Sequence, residues 1–168
     1  MKILLTGSAG FIGYHVAEKM LDNGYKIFGL DNLNDYYDVN LKKARIASLQ
    51  KSPNYTNLIM DIGDFNQLNK VFGKYKPERI IHLAAQPGVR HSLKEPRAYI
   101  NSNIYSFLNI LEASRNFSIK HLVYASTSSV YGSNTRMPFS EDDRTDPPTS
   151  LYAASKKSNE LMAHSYSH

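Results

Sequence analysis

A doubly wound α/β fold, with helices on both faces of a parallel sheet, is what this sequence predicts. Three observations carry the prediction. Short apolar runs with no polar alternation recur along the chain, as expected of strands buried on both faces. Segments with a helical stripe of apolar residues lie between them, the βαβ alternation that makes a parallel sheet with right-handed crossovers. A Gly-x-x-Gly-x-x-Gly run (Gly7, Gly10, Gly13) sits between the first apolar run and the first helical stripe.

In the opening unit, Ile3, Leu4 and Leu5 form the first strand. Gly7 allows the tight turn off that strand, Gly10 admits a phosphate close to backbone N–H groups, and Gly13 lets helix and strand pack closely. A helix N-terminus aimed at that spot is an anion site. The following helix carries its apolar stripe at Phe11, Ile12, Val16, Met20 and Leu21, and Asn23-Gly24 ends it. Residues 25–30 read as the second strand, ending in Asp31. Asp31 lies 18 residues beyond Gly13, close to the roughly 20 expected of an acid that binds the adenosine ribose hydroxyls. A carboxylate there repels a 2′-phosphate, so NAD is expected over NADP.

Further along, 32–37 is a polar loop and 39–50 a helix. Residues 55–60 form a third strand followed by Asp61-Ile62. Asp61 could accept from an adenine amino group or cap the next helix, expected over 64–75 and closed by Pro77. A fourth strand over 79–85 ends in small residues, Ala84 and Ala85, that would let a dinucleotide lie against the sheet edge. His82 lies inside it and reads as a satisfied core histidine. Residues 86–94 are expected as loop. A long helix from Pro96 to about 116 carries Ile100, Ile104, Phe107, Leu108 and Leu111 on one stripe. A fifth strand over 120–126, a turn-rich loop over 127–148 and a final helix over 150–167 complete the chain.

Composition narrows the chemistry. The 168 residues suffice for one domain with its own core. The absence of cysteine removes disulfides, thiolate catalysis and cysteine-ligated metal from consideration, and no metal site is expected. The first strand begins too early for a signal peptide, and no apolar run approaches a membrane span, so a cytoplasmic enzyme with no membrane partner is the expectation. The net charge of +5 comes from dispersed residues, with small groups at Lys42, Lys43 and Arg45 and at Lys156 and Lys157. No basic stripe interleaved with aromatics occurs, so nucleic acid is not an expected partner. A mild positive bias suits a phosphorylated substrate.

The candidate chemistry lies late in the chain. Thr127, Ser128 and Ser129 follow the fifth strand at the edge where such sheets bind ligands. Tyr152 comes 25 residues after Thr127, and Lys156 lies four beyond Tyr152. On a helix that spacing puts phenol and ammonium on one face. A phenol is a poor base at neutral pH, and a nearby ammonium favours the phenolate, fitting Tyr152 for proton transfer. Thr127 could hydrogen-bond the same substrate hydroxyl. On chemistry alone, the pair would equally serve a dehydrogenase of small alcohols.

With these residues in view, the chain resembles the extended short-chain dehydrogenase/reductases, and within them the nucleotide-sugar 4-epimerases. The resemblance rests on Thr6-Gly7-Ser8-Ala9-Gly10-Phe11-Ile12-Gly13, Asp31-Asn32, Asp61-Ile62, His82-Leu83-Ala84-Ala85, Asn103, Ser126 to Gly132 and Tyr152 to Lys156. More narrowly, Asp31 to Tyr37, Ala85 to Arg90 and Tyr152 to Lys157 are similar to the UDP-glucuronate 4-epimerases. The resemblance implies a Rossmann-like fold holding NAD, with Gly7, Gly10, Phe11, Ile12, Gly13, Asp31, Asn32, Asp61, Ile62, Leu83, Ala84, Ala85, Asn103 and Lys156 as cofactor-binding residues. It implies Tyr152, Lys156 and Thr127 as catalytic residues and a UDP-sugar substrate touched by Arg90 and Ser128. The implied reaction takes UDP-glucuronate to UDP-galacturonate through a transient 4-keto sugar.

The related 4,6-dehydratases place Asp-Glu at the positions of Ser128 and Ser129, and the decarboxylases place Glu at the second. Neither position is acidic here, which favours epimerisation; a 4-epimerase for an uncharged UDP-hexose is the alternative substrate reading. Family members extend past the equivalent of His168, adding the last strands and a smaller substrate domain. The expectation is therefore that 1–168 is an NAD-binding domain truncated before those parts, with an exposed sheet edge. A truncated, catalytically silent NAD-binding domain stands beside the epimerase as a second function class. Dimerisation through the 96–116 and 150–167 helices is a further implication of the family.

Overall fold

The structure is a computed structural model and describes residues 1–167; His168, where the sequence reading ends the domain, lies outside the described residues. The elements in chain order are β1 (Lys2–Thr6), α1 (Phe11–Asp22), β2 (Lys26–Asp31), α2 (Val39–Leu49), β3 (Tyr55–Ile59), α3 (Phe65–Tyr75) and β4 (Arg79–His82). Two short helices follow, α4 (His91–Lys94) and α5 (Pro96–Tyr99), then a π-helical turn over Ile100–Tyr105. The chain continues with α6 (Ser106–Asn116), β5 (His121–Tyr124), a 3₁₀ turn over Ser128–Tyr131 and α7 (Leu151–Tyr166). Two compact units are formed, one from Met1–Ala84 with Glu112–Ala125, the other from Ala85–Leu111 with the chain from Ser126 on.

The first unit holds the five-stranded sheet, in order β3-β2-β1-β4-β5, with every pair parallel. The order reverses between β1 and β4, the switch point at whose carboxyl edge sheets of this kind bind ligands. Leu4 and Leu5 are fully buried, as the unbroken apolar run requires of a central strand with both faces covered. On one face Ile3, Leu5 and Ile27 pack with Ala17 of α1, Leu49 of α2 and Tyr55. On the opposite face the Phe28 ring lies 4.7 Å from that of Tyr75 at the end of α3, and Phe72 meets Phe117 at 5.4 Å. Burying each such side chain is worth about 1.5–3 kcal/mol.

Several local expectations are corrected. Phe11 and Ile12 are 68% and 60% exposed rather than core. The inward residues of α1 are Gly13 and Ala17, whose small side chains let the helix lie close to the sheet. The fourth strand stops at His82: the Leu83 N–H is shared between the carbonyl and the hydroxyl of Thr6, and the Ala84 N–H donates to that hydroxyl, each at 3.2 Å. Part of the expected 86–94 loop is helical. Asp61 does not cap α3; Asp64 does, accepting from the Gln67 N–H at 3.0 Å.

The second unit contains the largest departure. The stripe expected along 96–116 assumed a uniform α-helix, but Ile100–Tyr105 is a π turn. The wider turn shifts the inward face by about one residue. Tyr99 and Asn103 are buried, while Ile100 is 43% exposed. Phe107 and Leu111 are buried as expected. In α7, Ser150 caps the helix by accepting from the Ala153 N–H at 3.0 Å. No helix among the described residues is long and apolar enough to cross a membrane.

Candidate active site

The first unit gathers Gly7, Gly10, Phe11, Ile12, Gly13, Asp31, Asn32, Asp61, Ile62, Leu83 and Ala84 at the carboxyl edge of its sheet. Gly7 has φ +73°, and a Cβ there would meet the Ala84 nitrogen at 2.8 Å; a Cβ on Gly13 would meet the Gly7 carbonyl oxygen at 2.0 Å. Both positions exclude any side chain. Gly10 precedes α1, and its carbonyl accepts the first helical bond from Tyr14 at 3.0 Å. The backbone N–H groups of Phe11, Ile12 and Gly13 have no partner among the described residues. Three free donors and the positive end of the helix dipole converge there, the arrangement that binds phosphate.

Asp31 is buried at the end of β2. Its Oδ2 accepts from the Ala9 N–H at 3.1 Å and its Oδ1 from the Leu33 N–H at 2.9 Å, so it holds both loops beside it. Asp61 accepts from the Gly63 N–H at 2.7 Å and from Asn32 Nδ2 at 2.8 Å. Ile62 is buried. His82 is 3% exposed, with Nδ1 2.7 Å from Thr6 Oγ1, as the core-histidine expectation held.

In the second unit Tyr152 and Lys156 stand one turn apart on α7. The Tyr152 ring meets the buried Tyr99 ring edge-on at 6.0 Å, and its hydroxyl has no hydrogen-bond partner among the described residues. Lys156 is 3% exposed, and its ammonium likewise makes no hydrogen bond among the described residues. Burial pulls Lys156 down to about 8, with Glu160 opposing. A buried, unpartnered cation is costly unless a ligand supplies acceptors.

Thr127 caps the 3₁₀ turn, accepting from the Ser129 N–H at 3.2 Å and donating to Ser129 Oγ at 3.3 Å. Ser128 and Arg90 are exposed, at the first residue of that turn and just before α4. Ala85 is half-buried next to Gln86. Asn103 turns inward. Its Oδ1 accepts from the Gln86 N–H at 2.7 Å, and its Nδ2 donates to the Gln86 carbonyl at 3.1 Å and to Ser155 Oγ at 3.0 Å. Both amide donors are engaged inside the protein, on the Gln86 segment and on α7.

Sequence reasoning missed other residues. Lys42, read as part of a small basic group, is 4% exposed, and its ammonium donates to the Asn34 carbonyl and Oδ1, both at 2.7 Å. The available signal was its phase: Lys42, Ile46 and Leu49 share the buried face of α2. Tyr37 and Arg45 reach the glycine-rich turn, at the Ala9 carbonyl. Asn159, buried on α7, donates to the Asn103 carbonyl at 2.6 Å.

A doubly wound sheet with a glycine-rich turn that leaves three helix N–H groups free, in a chain that also carries a Tyr-x-x-x-Lys helix, defines the class of the short-chain dehydrogenase/reductases. The chain belongs to the GDP-mannose 4,6 dehydratase family, whose model matches residues 4–168. It is 55% identical to Protein CapI of Staphylococcus aureus, over all of this chain and 50% of that protein. It is 49% identical to the probable UDP-glucuronate 4-epimerase of Rhizobium meliloti (strain 1021), over all of this chain and 49% of that protein. The UDP-glucuronic acid 4-epimerase of Bacillus cereus, crystallised with UDP-glucuronic acid and NAD, superposes with a TM-score of 0.89 at 35% identity, over 99% of this chain and 52% of that one. The chain thus spans about half the length of these relatives.

Proposed function

We propose that this chain carries the cofactor-holding and proton-transferring residues of an NAD-dependent UDP-sugar 4-epimerase, with UDP-glucuronate and UDP-galacturonate as the pair it interconverts. The observation that carries the reading is the buried Lys156 ammonium, without a hydrogen bond among the described residues and one turn from the unpartnered Tyr152 hydroxyl. The named relatives support the substrate class, and the non-acidic Ser128 and Ser129 favour epimerisation over elimination.

The residues fit NAD. The three free N–H groups of α1 would take the pyrophosphate, and the Gly7 and Gly13 contacts leave no room for a side chain in that turn. Asp31 and Asn32 would face the adenosine ribose, Asp61 and Ile62 the adenine, and Leu83, Ala84 and Ala85 the length of the dinucleotide. Bound NAD would accept a hydride from C4 of the sugar and return it to the opposite face. Tyr152 would remove the proton from the sugar 4-hydroxyl and give it back on reduction. Lys156 would bond the nicotinamide ribose, which gives its ammonium the acceptors it lacks, and favour the Tyr152 phenolate. Thr127 would orient the reacting hydroxyl, with Arg90 and Ser128 contacting substrate and Asn103 holding the Gln86 segment.

Incubating the 168-residue chain with NAD⁺ and UDP-glucuronate, with the sugars resolved by chromatography, tests this. Appearance of UDP-galacturonate, lost in Tyr152→Phe, is the expected result. Saturable NAD binding without product would favour the second reading, a cofactor domain that is silent by itself. That reading draws on the match to about half the length of the relatives named above.

A further inference from the structure

Outside the residues assigned above, the most heavily committed polar cluster joins the glycine-rich turn to α2. Ala9 lies between Gly7 and Gly10, directly before Gly10, and both sides of its backbone are held. Its N–H donates to Asp31 Oδ2 at 3.1 Å. Its carbonyl accepts from Arg45 Nη1 at 3.2 Å and from the Tyr37 hydroxyl at 3.4 Å, while that hydroxyl accepts from Arg45 Nη1 at 3.2 Å. The guanidinium carbon lies 6.0 Å from the ring centres of both Phe11 and Tyr37. Lys42 fixes the same loop from behind, with its ammonium 4.5 Å from the Tyr37 ring centre and bonded to Asn34.

The Ala9 carbonyl matters because of where it could otherwise go. It stands four residues before Gly13, so a slightly longer α1 would direct it onto the Gly13 N–H in an ordinary i to i−4 bond. That bond is not formed: the carbonyl is drawn aside to Tyr37 and Arg45, and the Gly13 N–H stays free. Pulling a carbonyl oxygen away and covering it with a guanidinium also removes a negative dipole end from an anion's path. Partial burial raises the Tyr37 hydroxyl above the usual phenol range, so it persists as a donor.

We propose that Tyr37 and Arg45 are positioning residues of the pyrophosphate site, which hold the Ala9 carbonyl away from the first turn of α1 and so keep three N–H groups available to a nucleoside diphosphate. This rests on the cofactor reading above. It extends that reading to two residues that touch the turn rather than the ligand.

The test compares ADP-ribose, which carries the pyrophosphate, with adenosine, which does not, by titration against the full chain and three variants. Tyr37→Phe keeps the ring and removes the donor; Arg45→Gln removes the charge and the stacked plane; Arg45→Lys restores the charge. ADP-ribose affinity should fall about fivefold in Tyr37→Phe and about tenfold in Arg45→Gln, the scale of one or two net hydrogen bonds. Adenosine affinity should stay within about twofold in each, since its recognition does not use these groups. Arg45→Lys should recover part of the loss. ADP-ribose binding unchanged in all three overturns the proposal, as does an equal loss for both ligands, which would mark a general loss of structure. Full recovery in Arg45→Lys with no effect in Tyr37→Phe also overturns it, because charge alone would then suffice. A wild-type chain that fails to bind ADP-ribose overturns the cofactor reading itself, and the proposal falls with it.

Discussion

Asn103 and Ser155, 52 residues apart in the chain, are joined by a 3.0 Å hydrogen bond between two buried side chains. Ser155 passes the contact on, donating to the Tyr152 carbonyl at 2.8 Å. Asn159 closes the network from the next turn of α7 onto the Asn103 carbonyl at 2.6 Å. The π turn makes this possible by bringing Asn103, rather than Ile104, to the inward face. Replacing Ser155 by Ala leaves an Asn103 donor buried without its acceptor and should destabilise the chain by about 1–3 kcal/mol. Urea unfolding of Ser155→Ala beside wild type measures it, and a loss below about 0.5 kcal/mol would show the bond to be dispensable.

Tyr152→Phe should separate chemistry from binding. The ring and its edge-on contact with Tyr99 remain, while the hydroxyl proposed to transfer the proton is lost. Turnover of UDP-sugar should fall at least a hundredfold, in line with loss of a general acid–base group, with NAD affinity nearly unchanged. Calorimetry and product chromatography on the same preparation read both quantities.

Lys156 gives a pH signature. Its folded pKa lies near 8, below the ordinary 10.5, so between these values the unfolded chain binds more protons and stability rises with pH. The penalty of burying the charge is fully present below about 8 and is relieved as pH climbs toward 10.5. Denaturant midpoints measured at intervals from pH 7 to 9.5 should therefore show an upward component that is missing in Lys156→Met. A parallel pH course in both proteins would show that Lys156 titrates normally.

Gly13→Ala tests the packing of the glycine turn. The added methyl would meet the Gly7 carbonyl oxygen at 2.0 Å, a contact only a backbone shift can relieve. The expected cost is about 1–3 kcal/mol or more, with loss of ADP-ribose binding. Thermal unfolding with and without ADP-ribose measures both effects, and a variant stabilised by the ligand as strongly as wild type would show that the turn tolerates a side chain.

The sheet was legible because its strands are buried on both faces and so appear as uninterrupted apolar runs, as in Ile3 to Leu5. Gly7, Gly13 and Asp31 were legible for a related reason: each position admits few residue types, one for space and the other for charge beside a turn. The π turn left no such trace. Periodicity assumes a constant helical pitch, and nothing in Ile100 to Tyr105 announces a wider one. The burial of Lys42 and the reach of Arg45 were hidden because a cation pattern along a helix carries no record of the carbonyls the fold brings to it. Phe11 and Ile12 misled in the opposite direction, since an apolar side chain at the first turn of a helix can stand clear of the core.

The Thr6 hydroxyl accepts from the Ala84 N–H, shares the Leu83 N–H with the Thr6 carbonyl, and lies 2.7 Å from His82 Nδ1. One side chain at the end of β1 therefore grips three successive residues where β4 ends. It acts as a clasp that makes the two central strands leave the sheet together, closing the exit of β4 against the exit of β1.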